Sequence, residues 1–349
     1  MRKMISMLLA VLLLISALPV AFASESYPIE AHFAATGSHS VKTLTIDSEE
    51  KDYKHYKFWY PADLEKANMQ YPVIVYNNGT GMKDDAKDTV EMMNHLASWG
   101  FVCITNDHKM TGNGDSASKG LDLLLSMSEN TDSVFYNKIN HKQIGVTGHS
   151  QGGSATINAA SVGKYGNAVL YQSICTISAP HSALAASPLQ KSPYDASKVQ
   201  VPSFLIGGTG TFDAGTKKDS GISPLGMALI ANMKAINHDT VIIGRIKNAD
   251  HGDTQPKSLA YVTAWFSYTL LGNAYAAGAF IGDDAEIYRN DKWQDVYNKQ
   301  SDDLPAHPDP YDPDVPNENI FTRILHAVKA FFNKIAALFK KLFTFSMKN

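Results

Sequence analysis

Residues 144–160, IGVTGHSQGGSATINAA, constrain the fold more than any other stretch of the chain. A short β-branched run, Ile144 to Thr147, leads straight into Gly148-His149-Ser150-Gln151-Gly152, and small residues continue at helical spacing through Ala155, Ala159 and Ala160. A buried strand that turns this sharply into a helix is a nucleophile elbow. The elbow needs glycine on both sides of the serine, because a Cβ there would collide with the neighbouring strand or helix, and the strained backbone pushes the Ser150 hydroxyl into open space. The five-residue pattern alone arises by chance in roughly one chain in ten of this length. Its strand-to-helix setting is what makes Ser150 a candidate nucleophile.

Around the elbow the chain alternates strands with helices. VKTLTI (41–46) and HYKFWY (55–60) are rich in β-branched and aromatic residues, and YPVIVY (71–76) is an unbroken apolar run of the kind buried on both faces of a parallel sheet. A helix with Val90, Met93, Leu96 and Ala97 on one face stops at Gly100. FVCIT (101–105), a helix around Leu121 to Met127, the elbow strand, AVLYQSICTIS (168–178), VPSFLIGG (201–208) and DTVIIGRI (239–246) follow. The expected class is α/β: a mainly parallel sheet flanked by helices.

A serine hydroxyl needs a histidine to take its proton, and the histidine needs a carboxylate to fix its tautomer. In elbow architectures these follow in the order Ser, acid, His, on loops at the carboxyl ends of the last strands. The loop after VPSFLIGG reads TGTFDAGT, and its first acid is Asp213; Asp219 and Asp250 are the rivals. Of 12 histidines, His251 in KNADHGDT stands between the last predicted strand and the closing helix, whereas His238 precedes that strand and would emerge at the wrong end. Two backbone N–H groups should hold the oxyanion. Gln151, next after the nucleophile, supplies one; Thr80 in the NNGTGM turn is the candidate for the other, although Asn and Gly suit any plain turn.

At 349 residues the chain is long enough for a large α/β domain with an ample core. MRKMISMLLAVLLLISALPVAFA reads as a signal peptide (1–23), with Arg2 and Lys3, an apolar run too short to span a bilayer comfortably, and an Ala21-Phe22-Ala23 cleavage site. The expected location is therefore outside the cell, with possible attachment to its surface. The catalytic domain is placed at 24–301, a Pro- and Asp-rich linker at 302–318, and a basic amphipathic helix at 319–349. In that last segment Phe321, Val328, Ile335 and Leu342 recur every seventh residue, with Leu325, Phe332 and Phe339 between them and lysines on the flanks. Three readings stay open for it: contact with a membrane or cell envelope, docking on the acidic body, or self-association. The formal net charge of −3 hides an uneven spread, since residues 319–349 hold six basic residues and no acidic one. The body is thus strongly acidic, which argues against nucleic acid as a partner.

The chain has two cysteines, Cys103 and Cys175, each in a predicted strand and expected to be a free buried thiol. No His and Cys spacing suggests zinc, GTFDAGTK departs from a phosphate loop, and no cofactor is expected. Trp265, Phe266 and Tyr268 on the closing helix read as core.

Taken together, GHSQGG, NNGTG, Asp213 and His251 resemble the α/β-hydrolase superfamily, in the branch of chlorophyllase-like, dienelactone-hydrolase-like and cutinase-like polyester hydrolases. NDHKMTGNGDS and AYVTAWFSYTLLGNAYAAGAF extend the likeness, which covers roughly residues 30–300. The resemblance implies an eight-stranded sheet in order 1-2-4-3-5-6-7-8, metal-free ester hydrolysis through an acyl-enzyme, and little or no lid. Polyester hydrolases of this branch usually carry an aromatic residue where Thr80 stands, a methionine at Gln151 and a tryptophan in the loop that here reads SAPHSAL; His181 in that loop is the candidate for lining the acyl pocket. The expected activity is hydrolysis of carboxylic esters with short to medium acyl chains. The alternatives are a lipase or polyester hydrolase, and a hydrolase fold that has become a binding or adhesion protein.

Overall fold

A computed structural model describes residues 27–306 except 218–219, together with 308 and 309. The expected signal peptide (1–23), the expected amphipathic helix (319–349) and the rival acid Asp219 lie outside the described residues. The chain builds a sheet of nine strands in the order β1-β2-β4-β3-β5-β6-β7-β8-β9. The strands are β1 (Val41–Asp47), β2 (His55–Pro61), β3 (Tyr71–Asn77), β4 (Val102–Asn106), β5 (Ile139–His149), β6 (Tyr171–Ile177), β7 (Ser203–Gly208), β8 (Val241–Ile246) and β9 (Trp293–Asn298). Pairings from β4 through β3, β5, β6 and β7 to β8 are parallel, while β1 with β2, β2 with β4, and β8 with β9 are antiparallel. Every residue of β3, β4 and β7 is buried, as continuous apolar runs in a doubly covered sheet must be.

The α/β-hydrolase order expected from the resemblance is present, with one strand more than its eight. WQDVYN was not read as a strand because it has no apolar run. It forms an edge on β8, held by Arg245, whose Nε and Nη2 donate to Asp295 Oδ2 at 2.8 and 2.6 Å.

Helices α1 (Pro28–Ala34), α2 (Lys87–Ser98) and α5 (Thr254–Leu271) cover one face, and α3 (Asp115–Glu129) and α4 (Gln151–Ala159) the other. Trp265 and Phe266 of α5 are wholly buried; the indole N–H donates to Ile174 O at 3.0 Å, and a Cβ added to Gly145 would lie 2.6 Å from the Phe266 ring. That close approach of helix to strand is why β5 carries glycine there. Each such buried aromatic stabilises the fold by about 1.5–3 kcal/mol.

Cys103 in β4 and Cys175 in β6 are free and buried. Two strands stand between them, a separation of about 14 Å at normal strand spacing, well beyond disulfide reach.

The Pro- and Asp-rich segment starts on the body. Leu304 packs against the apolar core, and Asp309 accepts from the amides of Gly226 (2.6 Å) and Met227 (2.9 Å) at the start of the helical run 225–235. A carboxylate at a helix start satisfies N–H groups that the helix itself leaves open.

Candidate active site

Strand β5 ends at His149, and α4 begins at Gln151, so Ser150 alone makes the turn, at φ 58° and ψ −126°. Both elbow glycines are required by contact. An added Cβ at Gly152 would lie 2.0 Å from Asn77 O, and one at Gly148 would lie 2.4 Å from Gly152 O. Ser150 N–H donates to Ile177 O at 2.9 Å, which ties the turn to β6.

The loop after β3 closes over the serine. An added Cβ on Gly79 would approach Ser150 Cβ to 3.2 Å, and Met82 N–H donates to Gly79 O at 3.0 Å, making 79–82 a tight turn with Thr80 inside it. Asn78 anchors this turn, its Nδ2 donating to Asn106 O at 2.6 Å while its carbonyl accepts from Thr111 Oγ1 at 2.6 Å. As the first residue of α4, Gln151 has no acceptor for its N–H within the helix. Among the described residues, neither the Thr80 nor the Gln151 amide donates to a backbone carbonyl outside the helices and strands.

Asp213, on the short helix Thr211–Ala214 after β7, is completely buried, and its Oδ1 lies 2.7 Å from His251 Nδ1. Its Oδ2 accepts from Gly208 N–H at 2.8 Å and from Ser178 Oγ in a still shorter bond. Burial pushes its pKa up, but the neighbouring His251 charge and the bonds from His251, Ser178 and Gly208 outweigh burial, and the pKa falls below the ordinary aspartate value. Asp250, the weaker rival, serves elsewhere: its Oδ1 accepts from the amides of Phe212 (2.9 Å), Asp213 (3.3 Å) and His251 (2.9 Å). One carboxylate therefore pins the loops of both the acid and the histidine. Gly210 makes room for it, since an added Cβ there would meet Asp250 Cβ at 2.6 Å.

His251 meets the elbow through His149. The carbonyl of His251 accepts from His149 Nε2 at 2.7 Å, and the two ring centroids are 4.7 Å apart. Since a carbonyl only accepts, His149 carries its proton on Nε2. Burial, followed by the adjacent His251 charge, pulls the His149 pKa down to about 3, so this ring stays neutral. Ser150 and His251 share no hydrogen bond among the described residues; with Nδ1 committed to Asp213, Nε2 is the nitrogen left to His251 for the serine. Thr254 Oγ1 donates to His251 O at 3.0 Å and sits 2.8 Å from Ser178 Oγ, closing a network from Asp213 through Ser178 to His251.

His181 is buried at the start of the loop after β6, its amide bonded to Ile222 O at 2.9 Å. From the same loop Gln190 reaches both oxyanion candidates: its carbonyl accepts from Gln151 Nε2 at 2.9 Å, and its Oε1 lies 3.4 Å from Thr80 Oγ1. Sequence reading passed over Asp250 as an anchor, and over Ser178, Thr254 and Gln190 altogether. Only the position of Asp250 beside His251 could have signalled it.

A cavity of about 480 Å³ lies near the start of β8, lined by Asp239, Phe280 and Tyr288 among others, at the end of the sheet opposite Ser150, so it is separate from this site. Among the described residues no group of three His, Cys, Asp or Glu side chains is placed to hold a metal ion.

No curated protein matches the chain. The sequence does match the PET hydrolase-like family over residues 21–220, a span that holds Thr80, Ser150, Gln151, His181 and Asp213 and stops short of His251. That span exceeds half of the chain, and with the sheet order and elbow described above it makes the protein a member of the PET hydrolase-like family, carboxylic ester hydrolases of the α/β-hydrolase fold.

Proposed function

We propose that the protein is an exported serine esterase that cleaves short to medium acyl esters through Ser150, His251 and Asp213. The observation that carries this reading is the 2.7 Å contact between His251 Nδ1 and the buried Asp213, on a histidine whose carbonyl is bonded to the residue just before Ser150. In the proposed cycle His251 Nε2 takes the Ser150 proton as Oγ attacks the ester carbonyl. The amides of Thr80 and Gln151 hold the oxyanion. His251 then hands its proton to the departing alcohol, leaving an acyl-serine. Water, deprotonated by His251, attacks that ester, and the acid leaves as Ser150 regains its proton. Asp213 keeps His251 in the productive tautomer and offsets the imidazolium charge.

The buried His181 is proposed to line the acyl side, on the loop that follows β6, the elbow strand's neighbour. Small and medium esters are favoured over a polyester because Thr80, Gln151 and SAPHSAL supply none of the aromatic and methionine surface that polyester hydrolases of this branch present. Export rests on the sequence of residues 1–23, and contact with a membrane or cell envelope on the lysine-flanked apolar stripe of 319–349.

A fluorophosphonate probe should label the intact protein and fail to label Ser150→Ala, whose kcat on a short-chain nitrophenyl ester should fall by about 10⁴-fold or more. An unlabelled parent would overturn the reading in favour of a non-catalytic binding protein. Rates across nitrophenyl esters of rising acyl length would place the chain-length limit.

A further inference from the structure

Three loops on the oxyanion side of Ser150 are stapled together. Gly81 N–H donates to Lys109 O at 2.8 Å, which joins the loop after β3 to the loop after β4. Gln190 joins the first of these to the loop after β6 through its contact with Thr80, and ties that loop to the start of α4 through Gln151. Within two residues of a staple, each loop turns one large apolar side chain to water: Met82 is 44% exposed, Met110 40% and Leu189 42%. Beside each stands a lysine: Lys83, Lys109 and Lys191, the last two exposed. Of the carboxylates near these lysines two are turned inward, while Asp85 and, near His108, Asp52 and Asp115 stay open to water. Asp84 faces His55 and Lys57, and Asp107 accepts from the Lys54 and His55 amides. A cationic, apolar rim on a strongly acidic body calls for an anionic, apolar partner. The segment 319–349 repeats that chemistry, and its tether is pinned by Asp309 to Gly226, three residues from Ser223, whose amide bonds to Asp213 O at 3.1 Å.

We propose that these three loop tips form a docking surface that seats the catalytic face on an anionic lipid bilayer, so that ester substrate is taken from the interface. This rests on the esterase reading above and adds where that esterase works.

The test uses the full chain with vesicles of equal parts phosphatidylglycerol and phosphatidylcholine carrying a long-chain nitrophenyl ester, and a short-chain ester free in solution. Because the tail also attaches to vesicles, rates are compared per co-sedimented molecule. The triple variant K83E/K109E/K191E should lose about tenfold or more on vesicle-borne ester, given about 1 kcal/mol per surface lysine. It should keep the soluble-ester rate within about twofold. An unchanged vesicle rate overturns the proposal, as does an equal loss on pure phosphatidylcholine, a loss confined to solid polyester film, or a change of oligomeric state showing that the rim joins two copies. A second readout is independent of catalysis: Met110→Cys, labelled with a polarity-sensitive dye while Cys103 and Cys175 stay buried, should shift to the blue on anionic vesicles. No shift would overturn the surface even in an active enzyme, whereas a shift in a protein that hydrolyses nothing would fault only the esterase reading.

Discussion

The carboxyl rim of the sheet and the aromatic layer under α5 are built on opposite terms. Among the described residues six that are not glycine have positive φ, and four of them, Ser150, Ser178, Lys191 and Asn248, lie on loops at the carboxyl ends of the parallel strands. The same end gathers buried polar atoms that make no hydrogen bond among the described residues, including Asn77 Oδ1, Asn78 Oδ1 and Gln151 Oε1. Under α5 the space is filled by apolar rings, and Phe204, Trp265, Phe266 and Phe280 are buried almost completely. Strained φ/ψ costs about 1–3 kcal/mol per residue and persists only where the surroundings enforce it. The lower layer supplies the stability that the upper one gives up in holding a hydroxyl, an imidazole and a carboxylate in one place.

If this division is right, a change at the rim should damage turnover far more than folding. Asp213→Asn removes the charge paired with His251 and lets the ring take the wrong tautomer, so kcat should fall by about 10³–10⁴-fold, equivalent to about 4–6 kcal/mol of transition-state stabilisation. The fold should survive, with a denaturant midpoint lowered only modestly by loss of the charge that the folded protein favours. A variant that unfolded while the remaining folded molecules turned over normally would break the comparison, because the carboxylate would then serve packing.

The opposite profile is expected below. Trp265→Ala removes a fully buried ring and the bond to Ile174 O, and should lower unfolding free energy by about 3–5 kcal/mol. Turnover per folded molecule should stay within about twofold, which chemical denaturation and active-site titration would separate. A large loss of kcat in folded Trp265→Ala would mean that the layer under α5 shapes the site and that the two regions are one device.

What could be read from the sequence follows the same line. The elbow was legible because its constraint is local: Gly148 and Gly152 are needed by atoms within a few residues of Ser150 or on the adjoining strand. The buried runs and the positions after β7 and β8 followed from periodicity and chain order, and the order of strands in the sheet from the family resemblance. The supports of the site were not legible, because each joins residues far apart. Ser178 and Asp213 are 35 residues apart, Ser178 and Thr254 are 76, and Gln151 and Gln190 are 39. Glu286, buried and accepting from the Ile29 and Glu30 amides, is 257 residues from the first of them. Serine, glutamine and glutamate carry no pattern of their own, and their partners exist only after folding. β9 was missed for a related reason: its residues lie half-buried at an edge, so the period-two signal is weak.

His149 gives the sharpest view of how the rim trades stability for arrangement. Its ring is held neutral in the fold with a pKa near 3, against an ordinary value of 6.5. The unfolded chain therefore binds a proton that the folded chain refuses between those values. Stability from this group is fully present above about pH 6.5 and drains away as pH falls toward 3, by an amount on the order of a few kcal/mol. The buried Asp213, whose pKa is lowered in the fold, adds to the loss in the same direction, but only as pH falls below the ordinary aspartate range toward its folded value. His149→Gln cannot take up a proton and keeps a side-chain amide donor for the His251 carbonyl. It should flatten the slope of stability against pH between 6.5 and 4 while leaving the steeper loss below 4 in place. Urea midpoints measured across that range would show it. A variant with the parent's slope would mean that another group sets the acid response and that the neutral ring beside Ser150 carries no such penalty.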